Sequence, residues 1–77
     1  MNHIRPRRKL PAEVVRDPNI LGGMPVIRGT RVPAKTIALM VRSGYSDYEI
    51  MTDYPSIDLE GIRAAIAYAQ ANPNDLD

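Results

Sequence analysis

Apolar positions change period once along the chain, near residue 33. Before that point they come as short β-branched clusters, Val14-Val15 and Val26-Ile27 with Val32, set between prolines and glycines. After it they recur at three and four residues: Ile37, Met40 and Val41, then Leu59, Ile62, Ile66 and Ala69. The first pattern belongs to strands and the second to amphipathic helices. The order this predicts is strand, strand, helix, helix, helix. The fold class is therefore α+β, mostly α: a short N-terminal β-hairpin followed by a three-helix, helix-turn-helix bundle.

The front half is extended and looped, since five of the seven prolines fall within the first 33 residues. Val14-Val15-Arg16 reads as a short strand ended by Asp17-Pro18. "NILGGMP" reverses the chain, and Val26 to Val32 reads as the second strand, with Gly29 as a bulge or point of close approach. Two strands alone are unstable in water, so the ribbon must rest on the helices or join a larger sheet.

The helices are well punctuated. Pro33 suits a first helical turn, and Gly44 stops the run that begins there. "SDYE" at 46–49 is a capping box, with Ser46 as cap, Glu49 reaching back, and Tyr45 and Ile50 as its hydrophobic staple. Pro55 ends this second helix at Tyr54. Asp58 caps the third, with Ile57 and Ile62 as a second staple, and Asn72-Pro73 closes it. Gly61 inside that helix costs about 1 kcal/mol relative to Ala, which makes it either a weak point or a packing notch.

Length and composition narrow the class. At 77 residues the chain allows one domain with a marginal core, so a second copy or another protein is expected against it. Three segments are expected: a flexible basic arm over 1–11, a domain over 12–72, and a short acidic tail over 73–77. The absence of cysteine excludes a disulfide framework and thiolate zinc sites. No apolar run approaches the roughly 18 residues of a membrane span, and the basic start lacks a signal-peptide apolar stretch. A cytoplasmic protein with no membrane partner is expected.

A net charge of +1 conceals a strong asymmetry. Residues 1–35 carry eight cations against two carboxylates, a net of +6, while residues 36–77 carry two against seven, a net of −5. Such a chain presents either a nucleic-acid-facing front or two surfaces for oppositely charged partners; the plainer account is two solvated faces. Catalytic chemistry finds no support. His3 is the only histidine, "GGMPVIRGT" lacks the Gly-Lys-Ser/Thr of a phosphate cradle, and the carboxylates are spread along helix surfaces. No enzyme, metal or cofactor is expected.

The nine residues "PVIRGTRVP", 25–33, fix two arginines on a constrained backbone. Arg28 and Arg31 have three candidate roles: pairing with Asp17 or helix carboxylates, contacting a partner, or contacting DNA. Tyr68 lies near Ala64, Ala65 and Ala71, small residues that let another helix approach closely. A partner contact at Tyr68 and an ordinary alanine-rich exposed face both fit.

"DPNILGGMPVIRGTRVPAKTI" together with "GYSDYEIMTDYPSIDLEGIRAAIAYA", spanning Asp17 to Ala69, resembles the bacterial family known as domain of unknown function 433. The resemblance implies a small antitoxin with a homeodomain-like helix-turn-helix, encoded beside a PIN-like nuclease that serves as toxin. Members of that family usually carry Thr or Ser at the position of Asp58 and an acidic residue at that of Gly61. Here Asp58 keeps the cap, and the reciprocal bond is lost at Gly61. "NPNDLD", the residues after the third helix, are too few and too acidic to plug an acidic metal site, although many nuclease antitoxins inhibit with a longer segment there.

Charge then sorts the readings. The third helix offers Asp58, Glu60, Arg63 and Gln70 among alanines, and the second adds Asp47, Glu49 and Asp53, so phosphates would be repelled. DNA contact falls instead to Arg5, Arg7, Arg8 and Lys9 of the arm, as in homeodomains, and to Lys35. Against a nuclease, an arginine fork at Arg28 or Arg31 suits bidentate contact with metal-binding carboxylates. The expectation is a dimeric, non-catalytic antitoxin that neutralises a PIN-like ribonuclease by direct binding, with operator DNA as a second partner. The alternative is a stand-alone helix-turn-helix transcriptional regulator.

Overall fold

In the computed structural model, residues 12–76 are described. Strands β1 (Val14–Val15) and β2 (Val26–Ile27) pair antiparallel, Val14 opposite Ile27 and Val15 opposite Val26. A single 3-10 turn, Leu21–Gly23, lies between them. Helices α1 (Ala34–Arg42), α2 (Asp47–Asp53) and α3 (Leu59–Ala71) follow, then a second 3-10 turn over Pro73–Leu76.

The second strand is shorter than its β-branched run predicts. It stops at Ile27, and the chain folds back so that Val26 bridges Pro33 and the Ile27 amide donates to the Val32 carbonyl at 3.0 Å. Gly29 is the pivot rather than a bulge. The Thr30 amide donates to the Ile27 carbonyl at 3.0 Å, and Gly29 holds φ at +79°, as the third residue of a type II turn must. "PVIRGTRVP" is thus a small hairpin in its own right, and β1 pairs with its first strand, β2, which then lies in the middle.

Helix ends follow their local signals. Gly44, at φ +93°, closes α1 in a Schellman motif: its amide donates to the Val41 carbonyl and that of Tyr45 to Met40, both at 3.0 Å. Ser46 and Glu49 form both bonds of the capping box, at 3.1 and 2.8 Å. Asp58 Oδ1 accepts from the Gly61 amide at 2.9 Å.

The core takes one isoleucine from almost every element: Ile27 of β2, Ile37 of α1, Ile50 of α2, Ile57 of the turn before α3 and Ile62 of α3, with Ala34 and Ala65 between them. Each such side chain contributes roughly 1.5–3 kcal/mol when fully buried. The main interface is α1 on α3. Within α3 the buried positions are Gly61, Ile62 and Ala65, whereas Leu59 is 43% exposed. Leu59 was expected in the apolar stripe, but as the first residue of α3 it lies on the exposed side, and the buried stripe begins at Gly61 and Ile62. Small residues at 61 and 65 admit the close approach of neighbouring elements. A Cβ on Gly61 would meet Ile57 Cγ2 at 3.1 Å and Ile27 Cγ2 at 3.5 Å, so Gly61 is a packing notch. Among the described residues no helix is long and apolar enough to cross a membrane.

Candidate functional site

Two surfaces gather the sequence-predicted residues. The first is the turn of the small hairpin. Besides the Thr30 amide, the Ile27 carbonyl accepts the Thr30 hydroxyl at 2.8 Å, and the Val32 amide donates to Thr30 Oγ1 at 3.0 Å. These bonds hold residues 28–31 in one conformation, and the two arginines part there. The Arg28 amide donates to the Glu13 carbonyl at 2.7 Å, and its guanidinium forms a salt bridge with the Glu13 carboxylate. Arg28 therefore fastens β2 to the residue before β1, a structural role, but with a partner other than Asp17 or the helix carboxylates. Arg31 is exposed and, among the described residues, makes no ion pair. The constrained backbone holds one guanidinium down and leaves the other outward.

The second surface is a concavity where the end of α3 and the final 3-10 turn meet the start of α1. Met24, Pro25, Lys35, Tyr68 and Asp75 line it. Tyr68 is half-buried against the core, and its hydroxyl donates to Asp75 Oδ2. Arg16 Nη2 donates to the same hydroxyl at 3.5 Å, the outer limit of a hydrogen bond. The phenol is held above its ordinary value, first by the bond to Asp75, then by desolvation and by the charge of that carboxylate; the Arg16 charge opposes the shift. Lys35 is exposed on the rim.

Lys35, expected to face DNA, and Tyr68, expected to face a partner, are thus brought together in one place, and Arg28 and Arg31 are not part of its walls. Arg5, Arg7, Arg8 and Lys9 lie outside the described residues. Of the small residues expected beside Tyr68, Ala64 and Ala71 line a second shallow groove with Ala67, Ala12, Val14 and Tyr68 itself, whereas Ala65 is buried in the core. Arg16 and Asp75 were missed as site residues. They stand 52 and 7 residues from Tyr68 in sequence, and no local pattern links the first of these pairs. Tyr45, expected to pack in the staple of α2, is 46% exposed, while Ile50 is fully buried. The exteriors of α2 and α3 carry Asp47, Glu49, Asp53 and Glu60 exposed, with Arg63.

A β-hairpin laid on three helices, with Arg28 and Arg31 on its turn, makes this an α+β protein, mostly α. Residues 14–69 match the family described as "Protein of unknown function (DUF433)", and the chain belongs to it. It is 50% identical over 60 residues to the uncharacterized protein y4eO of Sinorhizobium fredii (strain NBRC 101917 / NGR234), a match covering 78% of this chain and 27% of that protein. It also resembles the crystal structure, at 2.00 Å resolution, of a DUF433 member protein from Anabaena variabilis ATCC 29413. There the identity is 33% and the TM-score 0.73, over 83% of this chain and 63% of that one. The chain spans about a quarter of the curated relative and less than two thirds of the solved one.

Proposed function

We propose that the chain is the antitoxin of a toxin–antitoxin pair and neutralises a PIN-like ribonuclease by direct, non-catalytic binding in the cytoplasm. The supporting observation is Arg31: an outward guanidinium with no ion pair among the described residues, on a turn already fixed by its own hydrogen bonds. A side chain on a fixed loop loses less freedom on binding than one on a mobile loop. Its planar fork matches a carboxylate, and a PIN-like nuclease gathers carboxylates around a divalent cation. The anionic exterior of α2 and α3 favours this over a helix-in-groove DNA reader, whose recognition helix must approach phosphates.

Operator DNA is a second partner, and the segment 5–9 carries that reading with four cations in five residues. A homodimer would present two such segments. Deleting residues 1–11 should lower the salt slope of operator binding by about one for every phosphate those cations neutralise.

The test of the main reading is co-expression with the product of the adjacent gene, a PIN-like nuclease if the reading holds, followed by affinity capture and an RNA-cleavage assay. Capture of the nuclease with suppressed cleavage supports it, and Arg31→Glu should weaken capture at least tenfold. A nuclease that neither co-purifies nor loses activity overturns it, leaving the stand-alone regulator.

A further inference from the structure

We propose that the concavity between α1 and the end of α3 receives a carboxylate-bearing segment of a partner protein, and that Asp75 occupies it in the free chain. This deepens the reading of the chain as a protein-binding subunit and rests on it, but not on the partner's being a nuclease.

The concavity already holds an anion, and the chain supplies it. Asp75 accepts from the Tyr68 hydroxyl, with Arg16 behind that hydroxyl and Lys35 across the same concavity. Lys35 makes no ion pair among the described residues. The first turn of α1 has no side-chain cap, and its positive dipole end adds to the field there. Among the described residues, two cations, Arg16 and Lys35, thus stand about one carboxylate, Asp75.

The occupant is weakly held. Asp75 sits in a four-residue 3-10 turn, fixed by its amide bond to the Asn72 carbonyl at 3.0 Å and by Tyr68. Short exposed turns belong to the low-stability end of a structure. A segment with the same chemistry and a larger interface would replace it.

Apolar surface decides between a protein and a nucleic acid. Met24 and Pro25 line the concavity, Met24 is 45% exposed, and Leu21, one turn earlier, is 46% exposed at φ +50°. A phosphodiester offers nothing to cover these side chains. An apolar centre ringed by charged groups is the anatomy of a protein interface. The fitting ligand is a carboxylate next to an apolar residue, the pattern that Asp75 and Leu76 themselves carry.

The probe is a fluorescein-labelled heptapeptide with the sequence of residues 71–77, ANPNDLD, titrated by anisotropy against the full chain. Asp75→Ala and Asp75→Asn, both checked for native melting, should bind it at least fivefold tighter than the unaltered chain. Adding Lys35→Glu to either should abolish the gain. Equal binding by altered and unaltered chains overturns the proposal, as does a gain that survives Lys35→Glu. A 12-base-pair duplex binding the Asp75 variants with the same gain also overturns it, because the site would then be one for phosphate. No nuclease enters the assay, so its outcome is independent of the toxin–antitoxin test.

Discussion

A Cβ placed on Gly61 would stand 3.1 Å from Ile57 Cγ2, closer than side chains normally tolerate, and Ile57 is itself buried in the core. Two effects oppose each other on substitution. Ala in place of Gly favours the helix by up to about 1 kcal/mol, and overpacking costs about 1–3 kcal/mol. Ile57 must yield by a few tenths of an ångström, and as a buried core side chain it has little room to do so; crowding wins. Gly61→Ala should lower stability by about 1 kcal/mol and Gly61→Val by about 3, read as the shift in urea midpoint. A Gly61→Ala chain more stable than the original would show that Ile57 yields freely.

The core leaves little reserve. Ile37 is fully buried, and Ile37→Ala should cost about 2–5 kcal/mol, against a total stability of the same order in so small a domain. Circular dichroism should report a largely unfolded chain at 37 °C. A cooperative transition preserved near the original temperature would contradict this account of the core.

The two arginines of the hairpin turn separate by experiment. Arg28→Glu sets two carboxylates against each other at Glu13. Because the two side chains are 39% and 51% exposed, the loss is held to about 1 kcal/mol. Arg31→Glu removes no ion pair among the described residues, so melting should shift by less than about 0.5 kcal/mol. Differential scanning calorimetry of the two variants checks the contrast, and equal losses would remove the distinction between a fastening and a free arginine.

Removal of the cap tests α2. Ser46→Ala breaks the bond to the Glu49 amide and should cost about 1 kcal/mol, a fall of several degrees in Tm. Glu49→Gln, which can still accept from the Ser46 amide, should cost less.

Tyr68 gives a pH signature. Its hydroxyl is held above the ordinary 10.0 chiefly by donation to Asp75, so the folded state favours the neutral phenol. This contribution is complete below the unfolded value and is lost as pH rises through the higher folded one. Nuclear magnetic resonance of Cζ-labelled tyrosine should place Tyr68 above its ordinary value. Asp75→Asn should bring it down, and Tyr68→Phe should remove that part of the alkaline loss of stability. A Tyr68 resonance titrating at or below its ordinary value would contradict the hydrogen bond.

Local chemistry made much of the fold readable in sequence. The change of apolar period placed two strands before three helices, and Ser46, Glu49, Gly44, Asp58 and Pro55 marked ends that the structure keeps. Each of these signals acts within about five residues, through a capping bond or a backbone restriction, and needs no distant partner. Tertiary structure decided the rest. Whether Gly61 was a flaw or a notch depended on how firmly the core holds Ile57, whose methyl lies 3.1 Å from the added carbon. β-Branched residues favoured extending Val26–Val32, but the Thr30 and Val32 bonds folded that run back on itself. Glu13, not Asp17, became the partner of Arg28, and Arg16 reached Tyr68 from 52 residues away. Composition counts charges, and only packing chooses which are neutralised, because a pair forms wherever the backbone carries two side chains within a few ångströms.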